Sequence, residues 1–325
     1  MSQQSLKLAC GAAALLAFST SALAEIKVND NFSVNGYVAG SYQSTSPDPG
    51  ENFDTFQVDT ALLGATLTYK PTTGVVSFIY TPGASSEVTL LDAYVTYDLG
   101  SGASITGGKF LSYMGYESFY PIYMDQISYA NGQFLAPIPG YHSGVRLDIS
   151  SETSAFGFAL LDSVYSPYSA LKGDGELKEN QGLEAFYSYK GIKDVTLWAG
   201  AAYDTKGGFQ PHDVLMFDFW ASYQATKELR LAGEWVHKDG GRGASGYNWL
   251  LFADYSFTQK FSTAFRLSGE EMDDGGPSLT KYTIAPGVAV TEHLTVRGEY
   301  SFIDYNRYAG ANSASYFGIQ GIFKF

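Results

Sequence analysis

Apolar residues alternate with polar or small ones along nearly the whole chain. In the last segment Phe317, Ile319, Gly321, Phe323 and Phe325 alternate with Tyr316, Gly318, Gln320, Ile322 and Lys324. Val195, Leu197, Ala199, Ala201 and Tyr203 alternate in the same way with Thr196, Trp198, Gly200, Ala202 and Asp204. Successive strand side chains point to opposite faces, so this period of two marks strands with one apolar face. No stretch after residue 24 sustains a helical period. The pattern predicts sixteen strands, at 31–43, 55–70, 75–82, 88–98, 103–111, 140–150, 154–165, 181–190, 195–206, 213–224, 229–238, 246–257, 261–271, 280–290, 293–304 and 313–325.

The connections alternate in kind. Tight polar turns fall at 71–74, 100–103, 150–153, 191–194, 225–228, 258–260 and 291–292. Longer connections rich in Gly, Asp and Pro lie between them, at 44–54, 166–180, 239–245 and 272–279. An even strand count, short turns at one end and long loops at the other describe an all-β fold: an up-and-down antiparallel β-barrel that crosses a membrane. The rival is a soluble β-sandwich or β-helix, which would bury its apolar faces against further sheet.

Composition fits the barrel. The 325 residues are 45% hydrophobic with a mean hydropathy of -0.09, because an apolar and a polar face average to nearly zero. The longest apolar run is Leu8 to Phe18, too short for a membrane helix of about 20 residues. With Lys7 before it and Ala22-Leu23-Ala24 after it, this run reads as a signal peptide cleaved after Ala24. Residues 25–325 then form a single barrel domain. Cleavage removes the one cysteine, Cys10, and so any disulfide framework. It leaves 19 basic residues against 33 acidic, a net charge of -14 that argues against a nucleic-acid partner.

Tyr69, Tyr97, Tyr189, Tyr223 and Tyr255 each stand just before a tight turn on the apolar face. An aromatic ring with a wet hydroxyl settles at a membrane interface, so these five form a predicted periplasmic girdle. Tyr203, Trp235, Tyr247, Tyr282 and Tyr300 are candidates for its counterpart at the other end. The terminal Phe325 resembles the signal that the barrel assembly machinery reads.

A barrel of about sixteen strands leaves an aqueous channel. Alternation points Asp92, Asp98, Asp148, Glu184, Asp218, Glu234, Asp254, Glu270 and Glu299 into it, with Lys109, Arg146, Lys190, Arg230, Arg266, Lys281 and Arg297. Nine acids against seven bases imply a mixed wall with a slight cation preference. Arg230, Arg266 and Arg297 form either a free basic arc or wall salt bridges with Glu234, Glu270 and Glu299; both readings stand. The connection 112–139 is long and aromatic but carries only Glu117 and Asp125 as charges. It is expected to fold inward and narrow the lumen, setting those acids opposite the basic wall in a transverse field; the alternative is a surface loop packed on itself. Lys109, Glu117, Asp125, Arg146, Arg230, Arg266, Arg297 and Glu299 are therefore the candidate pore-lining residues.

Three segments around this connection carry a resemblance: Gly108-Lys109-Phe110, Gly115-Tyr116-Glu117, and Pro137-Ile138-Pro139-Gly140-Tyr141-His142-Ser143-Gly144-Val145-Arg146. They resemble the OmpL-like group of β-barrel porins over about residues 104–150. The resemblance implies a multi-pass outer-membrane porin of a Gram-negative bacterium, passing small hydrophilic solutes by diffusion. It implies no catalytic residue and no cofactor. Expected partners are outer-membrane lipid and lipopolysaccharide, the assembly machinery, the solutes, and further copies in a trimer. The chain lacks the Pro-Glu-Phe-Gly-Gly loop signature of general trimeric porins.

Two other functions stand as alternatives. A barrel enzyme needs Ser and His on one face, and His142 and Ser143 fall on opposite faces; four histidines without suitable spacing give no metal site. A non-conducting barrel, acting as adhesin, receptor or structural protein, is the second.

Overall fold

The computed structural model describes residues 25–325 except 85, 131, 167–176, 178–180, 207–210 and 241–244. The signal-peptide reading of 1–24 lies outside the described residues, as do most of 166–180 and part of 239–245.

The described residues form one antiparallel sheet: β1 (Glu25–Asn29), β2 (Phe32–Asp48), β3 (Phe53–Tyr69), β4 (Thr72–Tyr80), β5 (Val88–Gly100), β6 (Ala103–Leu111), β7 (Tyr141–Ser150), β8 (Ser154–Leu161), β9 (Gly182–Tyr189), β10 (Val195–Asp204), β11 (Val214–Gln224), β12 (Leu229–Gly240), β13 (Gly246–Ser256), β14 (Phe261–Met272), β15 (Ser278–Ala289), β16 (Leu294–Asn306) and β17 (Ser313–Lys324). Each of β2–β17 pairs with its neighbour in sequence, and β17 returns to β2 in register from Ser313↔Asp48 to Lys324↔Tyr37. The sixteen strands close on themselves. Phe325 extends the seam, its N–H donating to the Gly36 carbonyl at 3.0 Å.

Two local features depart from the sequence reading. The five residues of β1 pair back onto the start of β2, an extra hairpin beside the ring. The first two barrel strands are also longer than expected, because pairing continues to Asp48 and resumes at Phe53. The turn between β5 and β6 shows why glycine is needed there: Gly100, Ser101 and Gly102 all take positive φ, at 81°, 54° and 81°.

The two faces of the wall differ as alternation requires. Every strand of the ring turns at least one large apolar side chain outward and exposed, from Val38 on β2 through Leu63, Leu160 and Leu251 to Ile319 on β17. A continuous apolar exterior suits lipid, and closure gives every strand edge a partner where water is absent. No described helix is long and apolar enough to cross a membrane. The buried core lies inside the ring, in three clusters that join wall residues to the long connection after β6.

This polarity is testable. Leu251 is mid-strand and 57% exposed, whereas Tyr255 sits one residue from the end of the same strand. Leu251→Arg should cost about 2–4 kcal/mol of refolding free energy in lipid vesicles and Tyr255→Arg about 0–1. Equal costs at the two depths would contradict a midplane position for Leu251.

Candidate functional site: a lumen crossed by its longest loop

Residues 112–140 join β6 to β7 and run inside the barrel. Apart from one 3₁₀ turn, Pro121–Tyr123, the described residues of this segment have no regular structure. Its backbone groups therefore need partners from elsewhere.

Carboxylates of the wall accept the loop's donors. Ser112 Oγ donates to Glu184 at 2.6 Å, the Gly115 N–H to Asp218 at 2.8 Å and the Tyr116 N–H to Glu234 at 2.5 Å. Glu299 accepts the N–H groups of Ile127 and Ser128 at 2.6 and 2.9 Å. Glu270 accepts three in a row, from Gln133, Phe134 and Leu135, at 2.9–3.0 Å. Charged acceptors make such bonds about twice as strong as neutral ones.

Cations of the wall take the loop's carbonyls. Arg297 donates to Met124, Gln126 and Pro121 at 2.7, 2.8 and 2.9 Å. Arg266 donates to Ser128 and Tyr129 at 2.7 and 3.2 Å and pairs with Glu117 at 2.5 Å. Lys281 reaches Tyr129 at 3.1 Å, and Arg230 pairs with Asp125.

These contacts correct both readings of the basic wall. Arg230, Arg266 and Arg297 do not form a free arc, because the loop occupies them. The first two do not pair with Glu234 and Glu270 either. Residues four apart on a strand stand about 13 Å apart, beyond ion-pair reach. Glu117 and Asp125 do face this wall, but as direct ion pairs rather than across open space.

The loop also crosses the lumen. The Tyr120 hydroxyl bonds to that of Tyr141 on β7 and to Asp92 on β5 at 3.3 Å. The next residue, Pro121, accepts from Arg297 on β16. β7 and β16 are seven steps apart around the sixteen-strand ring, so this contact bridges nearly opposite walls. Apolar packing fixes the rest. Tyr113, Met114 and Tyr116 join Phe186, Trp198 and Trp220; Phe119, Tyr120 and Ile122 join Tyr37, Leu62 and Leu91.

Of the eight candidate pore residues, Lys109, Arg146, Arg266, Arg297 and Glu299 are buried, and the Glu117 side chain is nearly so. Lys109 donates to the Leu90 carbonyl at 2.6 Å, and Arg146 lies 3.3 Å from Asp148 and 4.5 Å above the Phe110 ring. Arg230 and Asp125 keep 20% and 34% side-chain exposure, so they alone of the eight face substantial open space. Tyr69, Tyr97, Tyr189, Tyr223 and Tyr255 are all exposed on the outer face, and at the opposite ends of the strands, on the same face, Tyr203 and Tyr247 donate to Asp213 and Glu271.

Sequence reasoning missed Asp59, whose place on β3 follows from a register shift opposite Ala39 and Gly40. The shift turns both Asp59 and Thr60 inward, breaking the period of two. The signal was present: Gln57 alternates with exposed Phe56 and Val58 in one phase, and Leu62 with Leu63 in the other. His142 also faces the lumen, 3.6 Å from Glu184, with Ser143 on the opposite face. Among the described residues no group of three or more His, Cys, Asp or Glu could hold a metal ion.

Glu270→Ala strips three adjacent loop amides of their acceptor. Hydrogen exchange of Gln133–Leu135 should accelerate about 10–100-fold, since bonds to a charged group contribute about 1.5–3 kcal/mol. Glu271→Ala, on the outer face, should leave it unchanged. Equal exchange in Glu270→Ala and the parent chain would refute the docking role.

No curated protein shows significant sequence similarity to the chain. Solved structures share its fold at low identity. OmpF of Salmonella typhi, in complex with daunomycin, superposes with a TM-score of 0.71 at 16% identity, over 93% of this chain and 100% of that one. An anion-selective porin from Comamonas acidovorans gives 0.66 at 12% identity, over 90% and 99%. OmpT of Vibrio cholerae, in its trimer form, gives 0.62 at 12%, over 91% and 100%. The family described as "Putative beta-barrel porin-2, OmpL-like" matches residues 84–325, from the connection between β4 and β5 to the last strand, and the chain belongs to that family.

Proposed function

We propose that the protein resides in the outer membrane of a Gram-negative bacterium and passes small hydrophilic solutes by diffusion through a narrowed, mixed-charge lumen with slight cation preference. The observation that carries this reading is the opposition of the two wall faces. The exterior is apolar around the whole ring, and side chains such as Gln57 point inward yet remain exposed. Family membership supports a channel. The girdle tyrosines sit at the two interfaces, residues 1–24 direct export and Phe325 presents the assembly signal. Arg230 and Asp125 line the passage directly. Lys109, Glu117, Arg146, Arg266, Arg297 and Glu299 set its shape through the loop.

Association of copies belongs to the same reading. The outward residues Gly40, Ala61, Ala65, Ala93 and Gly107 flatten the wall of β2–β6, which suits close approach of a second barrel in a trimer. The neighbour from Comamonas is anion-selective, so selectivity does not follow from the fold and must be measured here.

One observation favours a second reading, a non-conducting barrel acting as adhesin, receptor or structural protein: the loop bridges opposite walls and buries most of the charges. Conductance separates the two. Refolded barrel in a planar bilayer should give discrete steps, and liposome swelling should fall with solute size. The Ala130 N–H donates to Glu117 at 2.7 Å, so the ends of segment 118–129 lie together. Replacing that segment by a short Gly–Ser link should raise conductance several-fold and admit larger sugars. No step above the protein-free control in either chain would exclude the channel.

A further inference from the structure

The wall at β17, β2 and β3 is built differently from the rest. Four neutral donors converge on one carboxylate. Ser41 Oγ, Gln43 Nε2 and Gln57 Nε2 donate to Asp59 Oδ1 at 2.6, 3.0 and 2.9 Å, and Gln320 Nε2 donates to Oδ2 at 2.7 Å. Among the described residues no cation lies within ion-pair distance of Asp59, unlike Glu117, Asp125 and Asp148. Its negative charge is held by dipoles alone.

The chemistry of the cluster faces the lumen. An ionised carboxylate only accepts, so each glutamine must turn its Nε2 toward Asp59 and its Oε1 away. The amide oxygens of Gln43 and Gln57 are thereby presented as acceptors around an uncompensated charge, while that of Gln320 is enclosed within the wall. Gln320 is only 3% exposed, and its Oε1 has no protein partner. Gln57 is exposed although it points inward, between the outward Phe56 and Val58, so the cluster opens onto the lumen. The register shift at Ala39/Gly40 brings Asp59 to this position, and bulges commonly re-aim side chains next to functional sites.

We propose that this cluster is a solute subsite that takes the primary ammonium group of a small organic cation. The assignment rests on the channel reading above and names the solute class that its loop-end half recognises. An ammonium brings a positive charge for Asp59 and three donors for the amide oxygens. An anion meets only acceptors and negative charge.

Binding to refolded barrel in detergent micelles is measured by calorimetry, with n-butylammonium and tetramethylammonium as probes. The parent chain should bind butylammonium and bind tetramethylammonium, which has no donor, clearly more weakly. Asp59→Asn should weaken butylammonium about tenfold or more, as expected for one contact to a charged group. Gln57→Met, at an exposed position, should weaken it several-fold and keeps the question open to an answer if Asp59→Asn does not fold. Equal binding of the two cations, or butylammonium binding indifferent to both substitutions, overturns the proposal. Bilayer recordings separate this from the channel reading. Normal conductance without butylammonium binding rejects the subsite alone. Binding that depends on Asp59, in a barrel without conductance, upholds the subsite and rejects the channel.

Discussion

Backbone hydrogen bonding is the constraint on which this molecule depends, and it acts twice. In the bilayer no water can satisfy a free N–H or C=O, so the sheet must close, and β17 returns to β2. Inside the ring the same requirement falls on the 112–140 connection, which has almost no regular structure to satisfy itself. The wall supplies what a helix or strand would have supplied. Glu270 stands in for three carbonyls, and Arg297 for three amides. The lumen charges are therefore first a docking template for the loop.

That template sets how freely the loop can move. Undocking residues 133–135 alone breaks three bonds to one charged acceptor. Losing that shared acceptor, at about 1.5–3 kcal/mol, disfavours the open state by roughly 10–100-fold. The segment around Pro121 carries a similar set to Arg297, and aromatic packing adds to both, through Phe119 and Tyr120 at one and Phe134 against Tyr305 and Tyr308 at the other. A loop held in this way behaves as part of the wall. The passage is then defined by what the loop leaves uncovered rather than by its opening and closing.

Strand positions were legible because they follow from one period and one rule about turns. Sequence also marked the long connection as inward, since its seven aromatic side chains suit packing better than water. The partners of Arg266 and Arg297 were not legible. They depend on where an irregular loop places its carbonyls, and no periodicity encodes that. Asp59 was hidden for a different reason. Its place depends on one register shift, which turns two consecutive residues to the same side, and a shift of one residue reverses every face beyond it. Reading β3 as two phases, before and after Thr60, would have exposed it.

The two parts of the wall follow from these causes. Where the loop docks, each charge meets an opposite charge or a backbone dipole, and it is spent on structure. Where β17, β2 and β3 meet in their loop-end half, the polar groups satisfy one another and leave acceptors over. A wall that had to offer charge to both loop and solute would weaken one by serving the other. Separating the tasks by position removes that conflict: charged docking of the loop falls mainly to β9–β16, while the seam strands hold it by apolar packing and leave their polar groups to the subsite.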